Sequence, residues 1–423
     1  MFSGAASHHD FYIIFLVIFS LKNSKPLHDG LIFLSILLPT LYFDTALGFS
    51  SIAAYGWALS ACGLVALHVS SGQRFEIDRR LILLAAIIAA YFVARYILVP
   101  PVSSRSLKNT LMIGFGCVLT PTLVHAYNQY SDATTKAIKL CLALHLTVMV
   151  AQLIAWYGWG YDLDIGNALG GEGHRSLQGD LYRPTGVFDE PALYAMVMAG
   201  LCIALYVRQR KMTTLWWAGM ISLVLTSSLL ALVVFFLILL FINIRVGLIA
   251  IVVYFGGQYF LSQIIPSDAY SPLGHAVTRS AEVGNNNDPS TQVKFQVIEE
   301  FLKTPTLWAT GYGLEGYISG DPMYYQALND LTFPITTLTT YGLVVGIVIL
   351  LVFSAYLFTS YRPSTLLLIG VFLLKGAYFH LPFLWLFFAI SPDAIAAGSA
   401  WNRWLAWRRS KRHDTDCRAV RQA

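Results

Sequence analysis

The stretch Tyr182-Arg183-Pro184-Thr185-Gly186-Val187-Phe188-Asp189-Glu190-Pro191-Ala192 runs charged residues directly into an apolar helix. Arg183 presents a planar fork of donors suited to a pair of phosphate or pyrophosphate oxygens. Pro184 and Gly186 beside it permit a sharp turn that aims the guanidinium back at the membrane face. The plain alternative is an arginine that snorkels to lipid headgroups. Asp189 stands where a helix begins, with Pro191 in its first turn, so capping is its expected task. Glutamate is a poor cap, and Glu190, expected one residue further in, places a carboxylate at a cavity mouth where a general base would work.

A second polar stretch, from about residue 264 to 332, has Arg279, Lys294 and Lys303 as its only basic side chains, against Asp268, Glu282, Asp288, Glu299, Glu300, Glu315, Asp321 and Asp330. It is therefore no general polyanion binder. Arg279 and Lys294 suit defined anionic partners, with solvated ion pairs as the alternative. Asn329-Asp330 precedes the helix expected from Phe333, where capping competes with catalysis. Lys375 lies in an apolar run and His380 follows it; ionisable groups there are costly and usually face a cavity or a functional site. His145, inside another apolar run, reads as a hydrogen-bonded core histidine. Asp162-Leu163-Asp164 has the spacing of a metal-binding pair, but two acids in a loop are a weak signal and no metal is assigned.

The elements that must hold these groups are membrane helices. Of 423 residues 56% are hydrophobic and 12% charged, and the mean hydropathy is +0.61; soluble chains are about one-quarter charged. The formal charge of +5 sits in short turns and the carboxyl terminus, which fits positive-inside topology and not nucleic-acid binding. Cys62, Cys117, Cys141 and Cys202 lie in apolar segments and Cys417 in the tail, so neither a disulfide framework nor a zinc spacing is visible. The first apolar run is followed by Lys22 and Lys25 and not by a small-residue cleavage site, so no cleavable signal peptide is expected.

Apolar runs near 11–21, 30–48, 51–70, 80–99, 109–127, 137–158, 191–207, 213–227, 229–243, 247–263, 333–358, 364–379 and 383–399 have the lengths of transmembrane helices. The expected fold is all-α and polytopic, with about 11–14 spans. Short members in 213–227/229–243 and 364–379/383–399 leave open that each pair is one long helix. The chain divides into an amino-terminal bundle (1–158), a first external loop (159–190), central helices (191–263), a larger external loop (264–332), carboxy-terminal helices (333–399) and a basic cytoplasmic tail (400–423). Lys and Arg in the turns place both loops outside, with Arg105 and Lys108 on the wrong side of that alternation. The larger loop contains one amphipathic helix from Pro289 to Lys303. The two loops are expected to pack as lids over a membrane cavity.

The pattern Arg183-x-x-Gly186-x-Phe188-x-Glu190-Pro191 resembles the first external loop of bacterial O-antigen and exopolysaccharide polymerases of the Wzy type and of the related O-antigen ligases. Leu225-Thr226-Ser227-Ser228 between two spans, Pro305 through Gly311-Tyr312-Gly313, and the helix bearing Tyr341-Gly342-Leu343-Val344-Val345-Gly346 match further features in order. The resemblance covers about residues 180 to 350. Two departures stand out: Ser228 and Leu229 where the family often has an arginine, and Asn329-Asp330 where ligases carry a histidine. The second favours a polymerase over a ligase.

The resemblance implies a metal-independent, cofactor-free glycosyltransferase of the GT-C type. It would sit in the bacterial inner membrane with its site facing the periplasm, acting on undecaprenyl-pyrophosphate-linked oligosaccharide. Membrane lipid, a chain-length regulator and a flippase of the same pathway would be its partners. Arg183 corresponds to the family's pyrophosphate-binding arginine, and Arg279, Lys294, Lys375 and His380 are expected to assist it. Glu190 is the first candidate for the base and Asp330 the second. Tyr182, Tyr312 and Tyr324 are expected to stack on sugars, although tyrosine is also an interface anchor. The competing readings are a transporter of lipid-linked oligosaccharide and an accessory scaffold.

Overall fold

Hydropathy of this strength leaves the backbone one stable arrangement in lipid, the helix that satisfies its own N–H and C=O groups. The computed structural model describes residues 25–41, 52–99, 104–168, 177–178, 181–188, 190–264, 289–314, 328, 331–374 and 378–391. Apart from one two-residue antiparallel pair, their regular elements are helices.

The amino-terminal helices are α1 (Lys25–Leu37), with a 3-10 turn at Leu38–Thr40, α2 (Ile52–Ser70), α3 (Arg79–Leu98), α4 (Ser104–Gln129) and α5 (Ser131–Trp159). A short turn α6 (Ile165–Ala168) and the strands β1 (Leu177–Gln178) and β2 (Leu181–Tyr182) lead to α7 (Pro191–Gln209). Then come α8 (Thr214–Leu225), α9 (Leu229–Ile242), α10 (Ile244–Ile264), α11 (Pro289–Lys303), α12 (Pro305–Thr310), α13 (Phe333–Tyr341), α14 (Leu343–Ser360), α15 (Pro363–Phe372) and α16 (Pro382–Ile390). Within this set, α3, α4 from Arg105, α5, α7 and α14 are long and apolar enough to cross a membrane.

The packing separates lipid-facing helices from core helices. Ile97, Val252, Val344, Leu351 and Phe358 expose most of their side chains, as an apolar solvent permits. All nine residues of α16 are buried, where the helix packs against α4 and α7.

The apolar run 333–358, expected as one span, is divided at Gly342 into α13 and α14, which pack on each other. Helices α13, α15 and α16 have nine, ten and nine residues. Each is therefore about 14–15 Å long, half of the ~30 Å hydrocarbon thickness. The Tyr361 hydroxyl donates to the Phe388 carbonyl at 2.9 Å, tying the start of α15 to the end of α16 as the two arms of a hairpin. The turn of that hairpin meets the start of α13: the Phe333 amide donates to the Leu373 carbonyl at 3.2 Å. Phe333 and Phe379 are 5.0 Å apart. Phe333 also packs on Phe353 at 5.3 Å, a residue ~15 Å along α14 from its first residue. Three half-length helices thus meet about midway along a full-length one.

At the far end of α3, Asp78 is the amino-terminal cap. Its carboxylate accepts the Arg80 amide at 2.9 Å and the Arg80 guanidinium at 2.9 and 2.5 Å. Burial works against ionisation of Asp78, but the Arg80 side chain, the Arg80 and Leu81 amides and the Arg80 charge outweigh it and hold the carboxyl below its ordinary value. A depressed carboxyl contributes stability that is present above its unfolded value, about 3.9, and is lost as pH falls through the folded value. Asp78→Ala is expected to cost about 1 kcal/mol. It should also flatten the acid limb of a thermal-unfolding profile in detergent; an unchanged limb would show that the cap does not carry it.

Candidate functional site

The Arg183 loop is fixed to α5 by one polar side chain inside a span. Gln152, fully buried, accepts the Thr185 and Gly186 amides through Oε1 at 3.2 and 2.8 Å. Its Nε2 donates to the Gly186 and Leu163 carbonyls at 2.8 and 3.1 Å. One turn further along α5, Trp156 stacks on Tyr182 with centroids 4.7 Å apart and planes at 10°. Two turns back, His145 stacks on Phe188 at 5.6 Å, while its Nε2 lies 2.9 Å from the Thr40 hydroxyl, the core role expected for it. Gly186 has φ 64°, and a Cβ there would stand 2.6 Å from Tyr194 Cδ2, so the turn requires glycine on both counts.

This clamp leaves Arg183 partly exposed between buried Tyr182 and buried Pro184. The Tyr182 phenol is pushed up by burial and then by the Asp162 carboxylate. Its ring face is taken by Trp156 and only 2% of the residue is exposed, so it offers no open platform to a sugar. Asp164 accepts the Asn167 amide at 2.9 Å, starting α6.

Glu190 is itself the amino-terminal cap residue of α7, not one position inside it. Its carbonyl accepts the Leu193 and Tyr194 amides at 3.2 and 3.3 Å, and its side chain makes no capping bond. Pro191 sets the first helical φ, so the backbone does the capping, and the carboxylate is engaged with other groups. Asp189, expected as the cap, lies outside the described residues.

The pairing of α7 with α8 brings a third segment to this level. Trp216 Nε1 donates to the Cys202 carbonyl at 2.9 Å and the Tyr194 hydroxyl to Ser222 Oγ at 3.0 Å. The Tyr194–Ser222 bond places the end of α8, and Thr226 after it, toward the start of α7. Thr226-Ser227-Ser228 breaks the chain between α8 and α9, so two short helices stand here and not one long one. Ser227 has φ 51° and a buried hydroxyl with no hydrogen bond among the described residues; strain and an orphaned polar group in one residue are common near functional sites. Ala195, Met196, Ala199, Leu230, Val234, Val371 and Phe372 line a small apolar crevice further along α7.

The larger loop is anchored separately. Arg95 on α3 donates from Nη1 to the Thr310 and Gly311 carbonyls, both at 3.2 Å, and from Nη2 to the Tyr312 carbonyl at 3.0 Å. The Tyr91 hydroxyl sits 2.6 and 2.8 Å from the Thr310 and Thr340 carbonyls, and Asn109 donates to the Leu314 carbonyl at 3.1 Å. Gly311 has φ 60°, and a Cβ there would meet the Thr340 carbonyl at 2.2 Å. Tyr312, expected to stack on sugar, is fully buried; its ring packs near Phe301 and its hydroxyl donates to the Val297 carbonyl at 3.2 Å. It belongs to a small core of Val297, Phe301, Leu307, Leu328 and Leu331 that seats α11 on α12. Lys294 is on α11, partly exposed and engaged with other groups.

His380 is not among the residues shown holding the Arg183 turn. It lies in the α15–α16 turn, stacked on Tyr378 at 4.7 Å, with Arg105 and Lys108 of α4 acting on it electrostatically. It lines a narrow cleft with Gly313, Thr336, Thr337, Thr340 and Tyr378. Arg279, Tyr324, Asp330 and Lys375 lie outside the described residues. Gln152, Arg95, Tyr91 and Asn109 were not anticipated; the available signal was the few polar residues within otherwise apolar runs.

Comparison with protein-family models, with curated proteins and with solved structures returned no match.

Proposed function

We propose that this chain is a membrane glycosyltransferase of the polysaccharide-polymerase type, with its site at the entrance to α7. The observation that carries the reading is the Gln152 clamp. It holds the Arg183 turn rigid at the start of a membrane helix, beside a Glu190 carboxylate that its own cap does not use. In the reaction, an acceptor sugar hydroxyl attacks C1 of the donor glycan. The C1–O bond to pyrophosphate breaks, and polyprenyl pyrophosphate leaves with the electron pair. The hydroxyl proton passes to Glu190. Arg183 stabilises charge developing on the leaving oxygens, an effect that is large where water is sparse. The full count of about 11–14 spans, the periplasmic orientation and the bacterial inner membrane belong to this same proposal.

Membranes containing the protein, given synthetic polyprenyl-pyrophosphate oligosaccharide, are expected to release one polyprenyl pyrophosphate for each glycosidic bond formed. Release without chain growth would sink the reading. Glu190→Gln keeps the size of the side chain and removes its charge; it is expected to lower turnover by about 10²-fold, and full turnover would remove Glu190 from the base role.

A specific observation favours transport as the second reading. The half-length helices α13, α15 and α16 meet midway along α14, and discontinuous helices of this kind line substrate sites in transporters.

A further inference from the structure

Two helices long and apolar enough to cross a membrane end on one short segment of the larger loop. α3 and α14 have 20 and 18 residues, about 30 and 27 Å, which matches the ~30 Å of hydrocarbon. Leu98 and Leu343 therefore stand at a face of the bilayer. One turn before Leu98, Arg95 holds the Thr310, Gly311 and Tyr312 carbonyls. Just before Leu343, Gly342 is pressed on α12, where a Cβ would stand 2.7 Å from the Trp308 carbonyl and 2.9 Å from the Ala309 carbonyl. α12 is thus fixed level with the boundary between hydrocarbon and water.

α11 reaches α12 through Thr304 alone, and Trp308 Nε1 donates to the Phe301 carbonyl at 2.8 Å, so the end of α11 sits at the same level. The apolar arc of α11 is wider than the core beneath it. Val297 and Phe301 are buried in the small loop core, and Val293 and Ile298 are partly buried against it. Phe295, Ile298 and Leu302 follow the i, i+3, i+7 spacing of one helix row; Phe295 and Leu302, beyond the core, are 58% and 60% exposed. Gln292, Gln296, Glu299 and Lys303 fill the opposite side, all of them exposed, and Glu299 pairs there with Lys303.

Phenylalanine, leucine and tryptophan beside a polar arc are the side chains by which a helix lies in the headgroup region with its apolar side in the acyl boundary. Tryptophan is a common interface anchor, and Trp308, at the level where the spans end, is 42% exposed. The apolar surface continues on the spans themselves, since Tyr96, Ile97 and Leu98 at the end of α3 and Val344 at the start of α14 expose most of their side chains. α11 carries Lys294 and Lys303 against Glu299 and Glu300, a balance that gives the helix no net attraction to anionic lipid.

We infer that α11 is an interfacial helix: its Phe295–Leu302 flank, together with Trp308, docks the larger loop onto the lipid surface where α3 and α14 leave the membrane. The docking rests on apolar area and does not require anionic lipid. It is independent of the polymerase reading and holds equally for a transporter.

The test is spin-label accessibility in the purified full-length protein, reconstituted into phosphatidylcholine vesicles after Cys62→Ser and Cys417→Ser remove the exposed thiol and the tail thiol. Single labels are placed at Phe295→Cys, Leu302→Cys and Gln296→Cys, exposed positions outside the buried loop core. Relative to the label at position 296, those at 295 and 302 are expected to show a several-fold higher ratio of collisions with oxygen, which concentrates in acyl chains, to collisions with a water-soluble nickel chelate. Equal nickel accessibility at all three positions would put the flank in water and overturn the inference. Labels at 295 and 302 shielded from both reagents would assign the flank to another protein surface, a second copy or another segment of the chain, and overturn it as well. Adding phosphatidylglycerol is expected to leave the ratio unchanged; lipid contact that appears only with the anionic lipid would contradict docking by apolar area.

Discussion

Arg183→Ala is expected to abolish polymer while leaving the protein folded in the membrane. The residue lies between Tyr182, stacked on Trp156, and a turn bonded to Gln152, and none of those contacts uses the guanidinium. Those contacts persist in the variant, so the loss should fall chiefly on chemistry. Removing a preorganised charge from a developing anion costs roughly 10²–10³-fold in rate. Arg183→Lys keeps the charge but not the two-pronged geometry, so it should recover a minor part of the activity. Normal-length glycan from the alanine variant would remove the arginine from the site.

Gln152→Ala is the second large effect, and it should act through position. The substitution strips partners from the Thr185 and Gly186 amides and from the Gly186 and Leu163 carbonyls. Each buried group left unpaired costs about 1–3 kcal/mol, so even partial rehydration leaves a loss of several kcal/mol in the anchoring of the turn. Gln152→Glu retains the acceptor for the two amides and loses the two donated bonds, and should fall between. The distinguishing measurement is the pH profile of glycan transfer: a positioning residue lowers the plateau and leaves the inflections where they were. An inflection that moves in Gln152→Glu would assign Gln152 a part in proton transfer instead.

The helical fold was legible because hydropathy reports it directly. Breaks within helices were not. The run 333–358 carries no charged residue, and only Tyr341-Gly342 hints that the chain reverses there. The divisions at Thr226-Ser227-Ser228 and at 373–381 were visible only as unusually short runs. Hydropathy averages over a window and carries no information on backbone direction, which is set by contacts such as the Phe333 amide on the Leu373 carbonyl.

At the candidate site, Arg183 and Glu190 could be found because charge next to an apolar run needs a reason. Gln152 and Arg95 could not be interpreted in advance. A lone polar side chain in a span signals an internal partner, but only the folded chain shows that the partners are loop carbonyls and amides. Tyr182 and Tyr312 were assigned to sugar from residue type alone; both are buried with their rings packed on Trp156 and near Phe301, and the Tyr312 hydroxyl bonds the Val297 carbonyl.

The most direct test of the central claim is chain growth by the purified protein in proteoliposomes supplied with synthetic polyprenyl-pyrophosphate repeat units. The account predicts a ladder of products on a gel, lost in Arg183→Ala. Movement of labelled lipid-linked sugar across the bilayer without any ladder would contradict it and give the half-length helices to a transport path.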